Sequence, residues 1–317
     1  MQYIAHFDPS IGSSNLGDQI ISLSVKQALS STLDNIHLIS FPTQLKLNRT
    51  AVRTIAKTDM AIVGGSNLLC PSLLNYRQWK IGLLEALTLK NTMLFGVGWH
   101  SYGKEADKFS QFIYRKLLNN DNYHSVRDEY TKKQLERIGI PNVINTGCPT
   151  LWALTEEHCR EINTEKQLNV VFTLSDWRKN PENDLKLLRL LKKHYDQVYF
   201  WPQGKGDLEY LHNLESDIAN VVILGASVAA FDKQMQTRDC DYIGTRLHGG
   251  IRALHHKCRS LILGVDNRAI EMQRDFNIPV VAPEDESAIE KWILSPQTVK
   301  INLNWQNIQL WKQQLQN

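Results

Sequence analysis

The stretch Cys240-Asp241-Tyr242-Ile243-Gly244-Thr245-Arg246-Leu247-His248-Gly249-Gly250-Ile251-Arg252 reads as a buried strand that runs into a tight turn and then a helix. Residues two apart at an extended strand end share a face, so Arg246 and His248 are expected to point the same way. Gly249 and Gly250 are expected to open the helix and expose its N–H groups and the positive end of its dipole. A guanidinium grips carboxylate or phosphate bidentately, and an imidazole changes protonation near neutral pH. Together with a helix N-terminus they make an anion site that carries a titratable group. The plainer alternative is a structural Arg–carboxylate pair beside a capping His.

Outward from this stretch, apolar β-branched runs alternate with helical-period segments. The expected strands are Gln2–Asp8, His37–Phe41, Met60–Val63, Thr92–Val97, His124–Val126 and Val143–Thr146, then Asn169–Leu174, Gln197–Trp201, Val221–Leu224, Tyr242–Thr245, Ser260–Val265 and Val280–Ala282. Amphipathic stretches such as Asp18–Leu29 and Asp184–Lys193 lie between them. Such alternation predicts an α/β protein with parallel sheets covered by helices on both faces. The polar stretch from Pro149 to Gln167 marks a boundary, giving residues 1–152 and 165–300 as two Rossmann-like, doubly wound domains, GT-B-like in architecture. The remainder, 301–317, carries an apolar stripe (Trp305, Ile308, Trp311, Leu315) and is expected to be a closing helix rather than a membrane-surface helix. Ligands of doubly wound sheets bind where the strands end, so the site is expected on loops after strands, in the cleft between the halves.

Composition narrows the function. Lys plus Arg number 36 against 33 Asp plus Glu, too small an excess to argue for a nucleic-acid partner. The N-terminus lacks the pattern of a signal peptide, and no window approaches the roughly 20 apolar residues that span a bilayer. A cytoplasmic protein is expected, with at most peripheral contact at a membrane. Five scattered cysteines (Cys70, Cys148, Cys159, Cys240, Cys258) form no CxxC pair, so buried reduced thiols are expected and neither a disulfide framework nor a metal site.

Further candidates follow other strands. Ser125-Val126-Arg127-Asp128 is a second strand-to-helix junction: Asp128 suits an N-cap, and Arg127 is a ligand candidate. Asn15-Leu16-Gly17-Asp18 opens the first helix, with Asp18 either favourable to the dipole or functional. Gly64-Gly65 after Met60–Val63 would let a ligand near the backbone. Gly98 to Glu105 nearly spells a P-loop, but Glu105 replaces the Ser or Thr after Lys104, which argues against an NTPase. The same loop offers His100 and Tyr102 to sugar hydroxyls, and His100 as a base. Ser175, Arg178 and Arg268 lie on the expected ligand edge of the second half.

These pieces, in this order, resemble the polysaccharide pyruvyl transferase family from about Gly12 to Pro279: Asn15-Leu16-Gly17-Asp18, Gly64-Gly65, Gly96-Val97-Gly98, Ser125-Val126-Arg127-Asp128 with Leu135 and Gly139, and Thr245-Arg246-Leu247-His248 with Asp266 and Arg268. The resemblance implies a GT-B-like transferase that takes phosphoenolpyruvate as co-substrate, needs no cofactor, and forms a cyclic pyruvate ketal on a glycan or lipid-linked oligosaccharide of a bacterial-type surface polysaccharide. On this reading the second domain holds the donor, with Arg246, Gly249, Gly250, Arg127, Arg178, Ser175 and Arg268 as anion-binding candidates. His248 is the expected general acid, aided by Arg246. The first domain is the acceptor side, with Asp18, His100 and Asp128 as base candidates and Gly64 and Gly65 as contacts. Two other readings keep the fold: a glycosyltransferase using a nucleotide sugar, with Glu271 or Asp266 on the ribose, and a non-catalytic glycan-binding protein.

Overall fold

The computed structural model describes residues 1–316 except 77, 90, 119–120 and 215–219. In chain order the elements are β1 (Gln2–Asp8), α1 (Leu16–Thr32), β2 (Ile36–Pro42), α2 (Arg49–Ile55), β3 (Met60–Gly64), α3 (Leu83–Thr88), β4 (Thr92–Phe95), α4 (Lys108–Leu118), β5 (His124–Val126), α5 (Glu129–Arg137), β6 (Val143–Asn145) and α6 (Glu156–Arg160). There follow β7 (Asn169–Thr173), α7 (Pro181–His194), β8 (Gln197–Phe200), α8 (Asp207–Leu214), β9 (Val221–Ile223), α9 (Val228–Met235), β10 (Cys240–Gly244), α10 (Leu247–His255), β11 (Ser260–Leu263), α11 (Asn267–Phe276), β12 (Val280–Val281), α12 (Glu286–Leu294) and α13 (Trp305–Gln313). A strand forms at each place the apolar runs predict. Several stop early at the C-terminal end; β4, for example, ends at Phe95 because Gly96 turns the chain with φ +62°.

The chain divides into two compact units. The first comprises Met1–Ser13, Ile21–Pro149 and Leu303–Asn317, and the second Ser14–Ile20 and Thr150–Asn302. The segment before α1 and its first turn, with Asn15, Gly17 and Asp18, therefore group with the second unit.

In the first unit β2-β1-β3-β4 form one parallel sheet, and β5 pairs with β6. At Leu94 the ladder between β4 and β5 is replaced by side chains. His124 Nδ1 accepts from the Leu94 N–H at 3.4 Å, while its Nε2 donates to Leu118 O at 2.7 Å. Trp311 Nε1 donates to Leu94 O at 3.0 Å and its ring stacks on Phe95 at 4.1 Å. Ile308, Trp311 and Leu315 are buried, so three of the four stripe residues of the C-terminal segment pack into this unit, while Trp305 is exposed.

In the second unit the parallel sheet has the order β12-β11-β10-β7-β8-β9. Counted from β7, this is the doubly wound 3-2-1-4-5-6 order, which places the reversal of winding between β7 and β10. Val171, Phe172, Ile243, Ile262 and their neighbours are fully buried, as a sheet covered on both faces requires. Among the described residues no helix is long and apolar enough to cross a membrane. All five cysteines are buried, and no disulfide joins them.

Candidate functional site

The switch point of the second unit collects the strongest candidates. Here β10 ends at Gly244 and α10 begins at Leu247, so Arg246 is the N-cap and His248 lies in the first helical turn. The expected shared strand face is thus corrected: Arg246 stands at the cap of the helix and His248 inside its first turn. Tyr242, buried in β10, fixes this corner by donating from its hydroxyl to Arg246 O at 2.8 Å and bonding Thr173 Oγ1 at 2.7 Å.

Arg246 is largely buried and held by carboxylates from two other loops. Its Nε donates to Asp207 Oδ2 at 3.1 Å and to Leu174 O at 3.3 Å. Its Nη2 donates to Asp207 Oδ1 and, at 3.2 Å, to Asp176 Oδ1. Asp207, with no exposed surface, also accepts the N–H groups of Asp176, Gln203 and Gly204 at 2.7–3.1 Å. Burial pushes the Asp207 carboxyl above the usual carboxylate range, and Arg246 with these N–H groups pulls the other way. Gly204 has no side chain because a Cβ would lie 2.5 Å from Arg246 Nη2. Two edges of the guanidinium are therefore committed, and Nη1 alone donates to no described residue. This modifies the bidentate anion clamp expected from sequence: Arg246 has one free nitrogen to offer.

The same strand-to-helix corner carries further donors. No side chain caps α10, which leaves the positive end of its dipole open. Gln203 is buried, its Nε2 has no partner, and it sits against Gly249 in the first turn of α10. His248 Nδ1 would lie 3.5 Å from a Cβ on Gly17, whose N–H is fixed by Asn15 Oδ1 at 3.1 Å, and Asp18 follows in the first turn of α1. Two helix starts thus converge on His248. Ser175 is buried, with its hydroxyl 2.9 Å from Thr245 Oγ1 beside Arg246.

Other predicted contacts are accounted for differently. Gly250 donates its N–H to Arg246 O at 3.2 Å, and a Cβ there would strike Ile262 and Ser260. Packing against Ile262 and Ser260 accounts for the bare Gly250. The bare Gly249 makes room for Gln203 and for the Tyr242 hydroxyl, which a Cβ would approach to 2.7 Å. Arg268 is tied to Asp266 through Nε at 3.0 Å and stacks 5.3 Å from the Trp177 ring. Arg178, exposed, covers the same ring at 5.4 Å. Asp266 caps α11 and Glu271 pairs with Arg274, so both carboxylates suggested for a ribose are engaged.

The first unit holds the remaining candidates. Arg127 is buried, donating from Nη2 to Asn67 Oδ1 at 2.5 Å and from Nε to Asp128 Oδ2 at 3.3 Å. Its guanidinium lies where a Cβ on Gly98 would be, with Nη1 2.8 Å from that point. Asp128 Oδ1 accepts from Thr131 N at 2.8 Å and from its hydroxyl at 2.6 Å. Asp128 is thus a cap for α5 and not a free base. Gly64 makes room for His6, whose Nε2 would be 2.5 Å from a Cβ, and Gly65, at φ +67°, gives its N–H to Phe95 O. Packing against His6 and Ile21 accounts for both bare positions. His100 stacks on Tyr76 at 4.1 Å, lining a cavity of about 730 Å³ with Ser72, Asn75, Ser101 and Lys104.

Sequence reading overlooked Asp207, the hub of the second-unit site. The signal was present in Gly204-Lys205-Gly206-Asp207, where two glycines precede an acid at a helix start. Among the described residues no group of His, Cys, Asp and Glu could hold a metal ion.

The profile of the polysaccharide pyruvyl transferase family matches residues 15–267. A search of curated proteins gave no match. Among solved structures, the UDP-GlcNAc 2-epimerase of Methanocaldococcus jannaschii is similar with a TM-score of 0.59 at 13% identity, covering 99% of this chain and 98% of its own. The UDP-GlcNAc 2-epimerase of Neisseria meningitidis bound to UDP-GlcNAc gives 0.57 at 13% identity, with full coverage of both chains (100% and 100%). The S. aureus MnaA–UDP structure gives 0.56 at 12%, covering 92% and 87%. At such identities the likeness is one of fold, and it agrees with two Rossmann-like, GT-B-like parallel sheets.

Proposed function

The chain belongs to the polysaccharide pyruvyl transferase family, and we propose on that premise that it transfers the pyruvyl group of phosphoenolpyruvate to two hydroxyls of a glycan sugar, forming a cyclic ketal. The observation that carries the reading is the set of donors at the second-unit switch point: Arg246 Nη1, the unpartnered Gln203 Nε2 and the uncapped start of α10, whose first turn holds His248. Phosphoenolpyruvate carries a carboxylate and a phosphate, the groups that guanidinium, amide and helix N-terminus recognise.

In the proposed reaction His248 gives a proton to the methylene carbon, and positive charge develops at the central carbon. A sugar hydroxyl attacks there and loses its proton to a base. The C–O bond to phosphate then breaks, phosphate leaves with the electron pair, and a second hydroxyl closes the ring as its proton departs. Asp18, beside the glycine that faces His248, is the base this arrangement favours; Asp128 is occupied as a cap. The Asp207–Asp176 clamp would hold Arg246 rigid, so that its remaining nitrogen meets developing charge without reorganising.

Thermal shift with phosphoenolpyruvate against UDP-, GDP- and CMP-linked sugars tests the donor. A ligand at a hundred times its Kd stabilises by about 2.7 kcal/mol. Stabilisation by a nucleotide sugar and none by phosphoenolpyruvate would reject the proposal in favour of a glycosyltransferase.

A further inference from the structure

Helix α3 and the loops beside it break the rule that an outer helix face is polar. In Leu83-Leu84-Glu85-Ala86-Leu87-Thr88 the inward face is Glu85 and Ala86, and the single acid is buried and used to cap the helix, Glu85 Oε2 accepting from Gly82 N at 2.8 Å. The outward face carries Leu83, Leu84 and Leu87, which are 52%, 51% and 62% exposed, and Leu45 is half exposed as well. A soluble helix of this size would carry charged or polar residues there.

Next to these leucines lies an open groove of about 450 Å³, lined by Lys46, Asn48, Arg49, Lys80, Leu83 and Leu84 among others. Its two walls are joined by Lys80 N donating to Thr43 O at 2.8 Å. Lys46, Arg49 and Lys80 are exposed, and none has a side-chain ion pair or hydrogen bond among the described residues. Unpaired cations bordering exposed leucines, with the one acid turned inward, match a surface that is anionic above and apolar below.

We propose that this face of the first unit docks on an anionic phospholipid bilayer. The leucines enter the boundary between headgroups and acyl chains, and the three cations meet lipid phosphates in the groove. A second copy of the chain fits less well, because a two-fold contact would set the same cations against themselves. The proposal goes beyond the reaction assigned above and does not depend on it.

The test is co-sedimentation of the full chain, without substrate, with vesicles of phosphatidylcholine alone or of equimolar phosphatidylcholine and phosphatidylglycerol. Binding is expected only to the second kind and is expected to weaken with salt. Lys80→Gln and Arg49→Gln should each lower affinity by about fivefold, and Leu84→Gln with Leu87→Gln should reduce it further. Arg53→Gln, outside the groove, should bind as the wild type does. All these positions are exposed, and an unchanged Tm confirms folding. Equal binding to both vesicle types, or undiminished binding of the groove variants, overturns the proposal. So does a wild-type dimer in light scattering that the leucine variant converts to monomer. Transfer to a water-soluble acceptor is read separately, so loss of one idea leaves the other standing.

Discussion

Arg127 and Arg246 occupy corresponding corners of the two units, each at a strand-to-helix junction, each buried, and each with a glycine stripped to make room for its guanidinium. They differ in who neutralises them. Arg127 leans on Asp128, which also caps the following helix, so that α5 starts with its N-terminus closed. Arg246 is neutralised from elsewhere, by Asp207 and Asp176, and its own helix α10 starts bare. The same motif therefore yields a closed structural corner in one unit and an open electropositive one in the other.

Removing the arginines should separate the corners most. Arg246→Ala takes the cation from the fully buried Asp207, leaving it only neutral N–H donors, and should cost about 3–5 kcal/mol, with loss of phosphoenolpyruvate binding. Arg127→Ala leaves Asp128 bonded to Thr131 and should cost less and spare that binding; chemical denaturation with calorimetric titration checks both. Equal losses would break the comparison. His248→Ala should keep Tm and donor binding while abolishing turnover, and a fully active variant would sink the assigned acid.

Acid should split the units next. Burial holds His6 and His124 in the first unit at about 4, and His255 in the second at about 4. Each binds fewer protons folded than unfolded between that value and about 6.5, so stability falls as pH drops through that window. At about 3 kcal/mol per histidine, the first unit should lose at least about 3 kcal/mol more than the second, whose Asp241, raised by burial to about 6, gains stability over the same window. Hydrogen exchange at pH 7 and pH 4.5 reads this unit by unit. Burial pushes Asp8 up, but hydrogen bonds from Lys26 and Ser10 outweigh it and hold it at about 2, so its contribution survives until the pH is far lower.

Smaller effects sharpen the contrast. Gly204→Ala and Gly98→Ala should each destabilise by about 1–3 kcal/mol through overpacking, yet only Gly204→Ala should weaken the donor. Asp128→Ala should cost more than the about 1 kcal/mol of a lost cap, because it also leaves the buried Arg127 without its carboxylate, with unchanged affinity for phosphoenolpyruvate in a thermal-shift titration.

The strands could be read because two-sided burial writes itself as unbroken runs such as Val170-Val171-Phe172. The Arg246–His248 corner could be read because its residues are contiguous. The partners of Arg246 could not, since Asp176 and Asp207 reach it across 70 and 39 positions of chain. Glycines misled for a related reason. Gly64, Gly65 and Gly250 have the look of ligand turns, but the atoms that exclude a side chain there belong to His6, Ile21 and Ile262, which no local pattern reveals.

The bond from Trp311 to Leu94 spans 217 positions of sequence. A carbonyl laid down at position 94 thus waits for an indole made 217 residues later, while Thr150–Asn302 of the second unit is synthesised in between. On the ribosome most of the first unit's sheet emerges before this bond can seal it, a contact of very high order. Trimming the final helix should therefore loosen the amino-terminal sheet and leave the neighbouring unit's fold intact.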